Sequence, residues 1–107
     1  MSEHQSEQRR YLRFPPPEWE IALIQCSDAP LSEDEFEPEI AGLVMEESRA
    51  GCGLVVLDRL LEGRLANGDR CMVKVARLGI ILAEVRWIRP VDDGIVRLGL
   101  HYLDPAG

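Results

Sequence analysis

The chain has 107 residues, of which 46% are hydrophobic, enough for one compact core. Its formal net charge of −7 argues against a DNA- or RNA-binding protein, because a phosphate backbone requires a basic surface. No apolar run approaches the roughly 20 residues that cross a bilayer, and the polar N-terminus is unlike a secretory signal, so we expect a cytoplasmic protein without membrane insertion.

The first 14 residues lack apolar periodicity and carry three arginines, Arg9, Arg10 and Arg13, within five positions. We expect them to form a flexible arm. Three consecutive prolines then remove three backbone donors and favour an extended connection into a single domain, residues 15–107. A concentrated arginine cluster on an acidic chain suits a small anionic ligand, although a solvated basic segment explains the composition equally well.

Short strands are predicted from Trp19 onward. A first strand with one strongly apolar face is predicted, in which Trp19, Ile21, Leu23 and Gln25 alternate with Glu20, Ala22, Ile24 and Cys26. We place the strongly apolar face on the Trp19 side. Residues 27–38 are expected to form a long acidic surface loop. The overlapping stretch of residues 28–47 has eight acidic residues and neither lysine nor arginine. A second strand is predicted over residues 40–45.

Turn residues divide the remainder of the chain into further short strands. A turn is expected over residues 48–53, and a short helical turn around Leu60 and Leu61. The other strands are predicted over residues 54–57, 71–76, 81–87 and 96–102. Six strands joined by glycine and aspartate turns predict an all-β fold, a closed or nearly closed six-stranded antiparallel barrel, since closure leaves no unpaired edge.

The three cysteines, Cys26, Cys52 and Cys71, are far apart and none of them has the spacing of a zinc ligand pair. All three lie in apolar surroundings, where a free cysteine packs as a small hydrophobic residue. We therefore expect them in the core, and we expect neither a metal site nor a cofactor.

Two short motifs carry the recognisable chemistry. The first is Arg-Arg-Tyr-Leu-Arg at residues 9–13, and the second is Glu-Glu-Ser-Arg-Ala-Gly at residues 46–51. Arginine binds phosphate oxygens or the O6/N7 edge of guanine through two parallel hydrogen bonds. A carboxylate accepts from the opposite guanine edge, and a glycine lets the backbone approach a ligand closely. Together these residue types suit a molecule that contains both phosphates and guanines.

With these motifs, the sequence resembles the PilZ domain family of bacterial cyclic di-GMP receptors. The family pattern is Arg-x-x-x-Arg on an N-terminal arm, followed by Asp/Asn-x-Ser-x-x-Gly at a strand turn of a six-stranded split barrel. The chain matches both parts, except that Glu46 replaces the usual Asp or Asn. The resemblance extends from Arg9 to Asp104 and includes the segments at residues 52–56, 68–69, 85–87 and 98–103.

The resemblance implies a second-messenger signalling adaptor whose arginine arm closes over cyclic di-GMP and thereby alters the interaction with an effector protein. The implied ligand-binding residues are Arg9, Arg10, Arg13, Glu46, Ser48, Gly51 and Trp87. Ordinary structural roles remain open for each of them: a solvated arm for the arginines, a surface carboxylate for Glu46, a turn for Ser48 and Gly51, and a core position for Trp87.

Two other functions are weighed against this one. Glu46 at the first motif position keeps open a protein–protein interaction module that has the barrel but does not bind nucleotide. Catalysis has no support in the sequence, because Ser48 has no neighbouring base and the chain contains only two isolated histidines. We therefore expect a binding protein and not an enzyme.

Overall fold

The computed structural model describes residues 19–28 and 33–103, so the predicted arm with Arg9, Arg10 and Arg13 lies outside the described residues. Six strands make up most of the described part. They are β1 (Ile21–Gln25), β2 (Ile40–Glu47), β3 (Gly51–Leu57), β4 (Arg70–Val75), β5 (Gly79–Asp92) and β6 (Ile95–Tyr102). A 3-10 helix, Glu33–Glu35, precedes β2, and a short α-helix, α1 (Asp58–Leu61), follows β3.

The six strands form a closed barrel in the order β1-β2-β3-β6-β5-β4, in which all neighbours are antiparallel. Closure is visible at Ile24, which pairs with Ile40 of β2 on one side and with Val73 of β4 on the other. The prediction of a six-stranded antiparallel barrel is confirmed. No helix in the described ranges is long and apolar enough to cross a membrane.

The core fills the inside of the barrel with alternate residues of every strand, as period-two side-chain direction requires. In β4, β5 and β6 these are the residues whose alternation the sequence shows, such as Val73, Val85 and Leu98, each at most 1% exposed. Leu61 and Leu65 cover one end of the barrel from α1 and the turn after it. Burial of these side chains, at roughly 1.5–3 kcal/mol each, is the main favourable term for the fold.

The predicted orientation of β1 is wrong. Trp19 and Ile21 are 81% and 54% exposed, whereas Ala22 and Ile24 are fully buried. Both faces of this strand are apolar, so alternation alone could not show which one faces the core. The small Ala22 fits the barrel interior, and the larger side chains remain on the outer surface.

Two predicted boundaries also change. The turn between β2 and β3 contains only residues 48–50, because Gly51 and Gly53 lie within β3. The positive-φ glycines of the described chain are Gly63, Gly68, Gly79 and Gly94, so Gly51 and Gly53 have extended backbone. Strand β5 continues past the predicted end at residue 87 to Asp92, and it pairs with β6 as far as Ile95.

The described part of the acidic loop is held at the end of the barrel where β1 ends and β2 begins. The buried side chain of Gln25 accepts a hydrogen bond from Glu37 N at 2.8 Å, and Glu39 Oε2 accepts one from Cys26 N at 3.0 Å. Strand β2 then runs for eight residues to Glu47, which places the opposite barrel end about 20 Å away.

Cys52 and Cys71 lie in the core at 6% and 0% exposure, as expected, and Cys26 packs against it. Burial raises the pKa of Cys71 from 9.0 to about 12 and that of Cys52 from 9.0 to about 11. Such thiols are protonated and unreactive at neutral pH.

Candidate functional site

A surface cavity of about 190 Å³ lies at the barrel end where β2 leads into β3, on the outer face of β3, β6 and β5. Its polar lining comes from all four of these strands and from the turn at Ser48. The residues that line it include Glu46, Glu47, Ser48, Gly51, Gly53, Arg86, Trp87, Gly99 and His101. We refer to this cavity as the outer-face pocket.

One row of cross-strand partners forms the floor and two walls of the outer-face pocket. Glu46 of β2 pairs with Gly53 of β3, Gly53 pairs with Gly99 of β6, and Gly99 pairs with Trp87 of β5. Two adjacent glycines therefore lie between a carboxylate and an indole, and because they have no side chains both groups can lie close to the backbone of the sheet. A glycine within a strand often marks such a close approach of another group.

Two β-bulges direct the walls of this row outward. The pairing register shifts between Val44 and Glu46 in β2, and again between Val85 and Trp87 in β5. Val44 and Val85 point into the core, and without the extra residue the side chains two positions later would do the same. Each bulge thus moves a side chain, Glu46 or Trp87, from the core face to the pocket.

The glycines in the site are required by close contacts. A Cβ on Gly99 would collide with the Trp87 indole, and a Cβ on Gly51 would collide with the carbonyl oxygen of Leu100. A Cβ on Gly53 would lie 3.3 Å from Glu46 Cγ and 3.5 Å from Arg97 Nη2. Side chains from neighbouring strands therefore lie over the backbone at Gly53 and Gly99.

Two arginines contact the two walls from the next row of outward-facing residues on β5 and β6. Arg97 Nη2 lies 3.8 Å from Glu46 Oε2, and the Arg89 guanidinium lies over the Trp87 ring with Cζ 4.6 Å from its centroid. Arg97 and Arg89 are themselves cross-strand partners. Each wall of the pocket is consequently held by a cation next to it.

The Ser48 turn closes one side of the pocket. Ser48 N donates to Gly51 O at 2.9 Å, and Ser48 Oγ accepts from Ala50 N at 3.2 Å. Tyr102 N donates to Ala50 O at 2.8 Å and ties the turn to the end of β6. The turn is therefore rigidly attached to the barrel, and the Ser48 hydroxyl lies beside the glycine floor.

Glu47 is largely engaged in holding the barrel end together. Its Oε2 atom accepts a hydrogen bond from Tyr102 Oη at 3.1 Å and lies 3.3 Å from Arg77 Nη2, and its side chain is 12% exposed. Burial, together with Cys52 and Glu47, raises the pKa of Tyr102, so its hydroxyl remains a donor. The two neighbouring glutamates have different environments, and only Glu46 belongs to the glycine row.

The structure brings four of the predicted site residues together: Glu46, Ser48, Gly51 and Trp87 all line the outer-face pocket. Sequence reasoning missed Gly53, Gly99, Arg86, Arg97 and His101. Gly99 had a usable signal, because a glycine within an alternating strand marks a close approach of another group. The role of Arg97 depends on the β2 bulge, and no sequence signal indicated it.

The described residues contain no group of three or more His, Cys, Asp or Glu side chains that could hold a metal ion. The polar groups of the pocket are two carboxylates, a hydroxyl, a guanidinium group, an imidazole and backbone amides. This set suits hydrogen bonding and stacking with an organic ligand.

No protein-family model and no curated protein matches the chain. Solved structures do match. The structure of YcgR from Escherichia coli in complex with c-di-GMP superimposes with a TM-score of 0.54 at 19% identity over 92% of this chain. This chain spans 40% of that YcgR chain. The PilZ domain of the same protein with c-di-GMP gives a TM-score of 0.55 at 18% identity over 92% of this chain and 82% of that chain. The six-stranded barrel described above is therefore a PilZ-type barrel, the fold that the motifs predicted.

Proposed function

We propose that this protein is a cytoplasmic receptor that binds cyclic di-GMP at the outer-face pocket and acts as a signalling adaptor, not as an enzyme. The main support is the convergence of Glu46, Ser48, Gly51 and Trp87 on one pocket of a PilZ-type barrel. Glu46, Ser48 and Gly51 belong to one short motif, and the fold brings Trp87 to the same pocket from a strand much later in the chain.

The pocket offers each part of a guanine nucleotide a suitable group. The Glu46 carboxylate accepts from the guanine N1–H and exocyclic amine, and the Trp87 ring stacks on the base. Ser48 donates to a phosphate or base oxygen. Gly53 and Gly99 let the carboxylate and the indole lie close to the sheet, which leaves room for the base above them.

The arm supplies the positive charge that two phosphates require. In this proposal Arg9 and Arg13 bind phosphates and guanine edges, and Arg10 adds a further phosphate or stacking contact. Chain geometry supports it: Glu20 O accepts a hydrogen bond from Val44 N, so the chain enters β1 near the pocket end of β2. Arg13 is six residues before Trp19, a reach of about 20 Å, whereas three strand spacings are about 14 Å.

Ligand binding would be coupled to signalling through the arm. An arm closed over the ligand presents a surface different from that of an open arm, and an effector protein that prefers one form responds to the nucleotide. Cyclic di-GMP can shift this equilibrium only by its higher affinity for the closed form.

Isothermal titration calorimetry with the full chain tests the proposal. We expect one-step binding of cyclic di-GMP that is lost when Arg9 and Arg13 are both replaced by alanine. The matched control is Arg59→Ala/Arg64→Ala, which removes the same charge far from the pocket. Absence of binding at about 100 μM cyclic di-GMP would overturn the assignment; a dissociation constant of that size corresponds to a binding free energy of about −5.5 kcal/mol. The assignment would also fail if the arm variant bound cyclic di-GMP as tightly as the wild-type protein.

A specific observation supports a second candidate function, a nucleotide-independent protein–protein module. Large apolar side chains are exposed just before β1 and on β1 to β3: Trp19 at 81%, Ile21 at 54%, Met45 at 42% and Leu57 at 42%. Large exposed apolar side chains suit an interface with another protein when they form a patch. This function would be favoured by an effector protein that binds with the same affinity in the presence and absence of cyclic di-GMP and whose binding is lost in the Ile21→Lys variant.

A further inference from the structure

Glu46 and Arg97 form a contact that crosses the pocket floor. The Glu46 side chain extends over Gly53, where a Cβ would lie 3.4 Å from Oε2. Arg97 Nη2 approaches the same position from β6 and lies 3.8 Å from that carboxylate oxygen. The absence of a side chain at Gly53 is what allows the two groups to meet.

Arg97 does not itself line the outer-face pocket. It lies on β6 beside Val55 of β3 and Arg89 of β5, one outer-face row away from the glycine row. Its Nε atom is buried and has no hydrogen-bond partner in the described ranges. A buried donor without a partner is unfavourable, so the guanidinium is not placed there by its own hydrogen bonding. The charge of the Glu46 carboxylate, 3.8 Å from Nη2, is the interaction that favours this position.

The contact also gives a reason for glutamate at this position. The carboxylate must reach from β2 across Gly53 to the guanidinium, and aspartate is one methylene shorter. A lone carboxylate in the pocket would repel the two phosphates of a dinucleotide. The guanidinium of Arg97, 3.8 Å from the carboxylate, partly offsets this repulsion.

We propose that Arg97 is a positioning residue that holds the Glu46 carboxylate over Gly53 and thereby sets the preference of the pocket for guanine. This inference rests on the proposed function. Arg97 fixes where the carboxylate lies, and the carboxylate reads the N1–H and exocyclic amine of the base. Arg89 has the corresponding position on the other wall, where it contacts Trp87 and has no part in reading the amine.

The test compares cyclic di-GMP with cyclic di-IMP, which lacks the exocyclic amine. The measured quantity is the ratio of the two dissociation constants. We expect Arg97→Leu to reduce the wild-type preference for cyclic di-GMP by about tenfold, to the level of Glu46→Ala. The double variant Arg97→Leu/Glu46→Ala should show no further loss, because the two residues act as a unit. Arg97→Lys should restore part of the preference.

Two controls separate positioning from general effects. Arg89→Leu removes a cation from the neighbouring strand and should weaken both nucleotides equally, without changing their ratio. Arg59→Leu removes a cation from α1 at the far end and should change neither affinity. Full retention of the preference in Arg97→Leu overturns the inference while the receptor function stands, and so does a wild-type protein that binds both nucleotides equally.

A nucleotide-free measurement keeps the two proposals distinguishable. In backbone NMR spectra of the free protein, Arg97→Leu should shift the amide signals of Glu46 and Gly53, whereas Arg59→Leu should not. Unchanged Glu46 and Gly53 signals would overturn the inference whether or not nucleotide binds. Shifted signals in a protein that binds no cyclic di-GMP would support the contact but refute its role in recognition, together with the proposed function.

Discussion

The indole of Trp87 lies directly against the backbone of Gly99, its cross-strand partner on β6. The contact exists because the β5 bulge turns Trp87 out of the core and because Gly99 has no Cβ. Arg89 covers the ring at 4.6 Å from its centroid. The orientation of the ring is thus fixed from two sides before any ligand binds.

Gly99→Ala should displace the indole and weaken cyclic di-GMP binding at least about tenfold, or about 1.4 kcal/mol, because the stacking surface moves. Overpacking should also cost about 1–3 kcal/mol of stability. Calorimetry and Trp fluorescence in a Trp19→Phe background would report both effects. Gly63→Ala, at φ 74° in an exposed turn, is the control: it costs about 1–2 kcal/mol but should leave affinity unchanged. Equal loss of affinity in both variants would contradict the specific role of the Trp87 contact.

Glu47 links β2 to Tyr102 and Arg77, and the three partners should differ in their effect on the free energy of unfolding. Tyr102→Phe should cost about 1 kcal/mol, and Glu47→Ala about 1–3 kcal/mol because the buried Tyr102 hydroxyl loses its acceptor. Arg77→Ala should cost less than about 1 kcal/mol, since Arg77 is 54% exposed and solvent screens its ion pair. Urea unfolding would give the order. If Arg77→Ala were the most destabilising, the ion pair would have to be more important than the hydrogen bond.

The buried thiols predict a loss of stability in alkali. Burial raises the pKa of Cys71 from 9.0 to about 12 and that of Cys52 from 9.0 to about 11, and the pKa of Tyr102 is also raised. Between about pH 9 and these folded-state values the folded protein keeps protons that the unfolded chain has lost. This stabilisation is complete below the unfolded pKa and falls as pH rises, by up to about 1.4 kcal/mol per pH unit for each thiol.

Urea unfolding at several pH values between about 8 and 10.5 measures this slope. Cys71→Ala should be less stable at pH 8 because it leaves a cavity, but its stability should fall less steeply with pH. An identical slope in the wild-type protein and in Cys71→Ala would show that this thiol does not cause the pH dependence.

Strand positions and closure of the barrel follow from the sequence, because alternation in β4, β5 and β6 leaves one choice of buried face. The face of β1 does not, since Ile21 and Ile24 are both apolar and only packing decides between them. The pocket was predictable in part: Glu46, Ser48 and Gly51 belong to one recognisable motif, and the family resemblance also implies Trp87. The positions of Glu46 and Trp87 depend on two bulges, and a one-residue register shift leaves no mark in residue type.

A last prediction concerns catalysis. The fold brings His101 into the same pocket as Ser48, a proximity that the sequence did not show. The Ser48 hydroxyl accepts a hydrogen bond from Ala50 N, which gives the serine a structural role in the turn. Gly51, at the end of the same turn, is the cross-strand partner of His101. We therefore expect cyclic di-GMP to be recovered intact after prolonged incubation with the protein, as followed by chromatography. His101→Ala and Ser48→Ala should change affinity alone. A linear dinucleotide product that forms with the wild-type protein and disappears in His101→Ala would instead identify a phosphodiesterase, and the adaptor function would have to be abandoned.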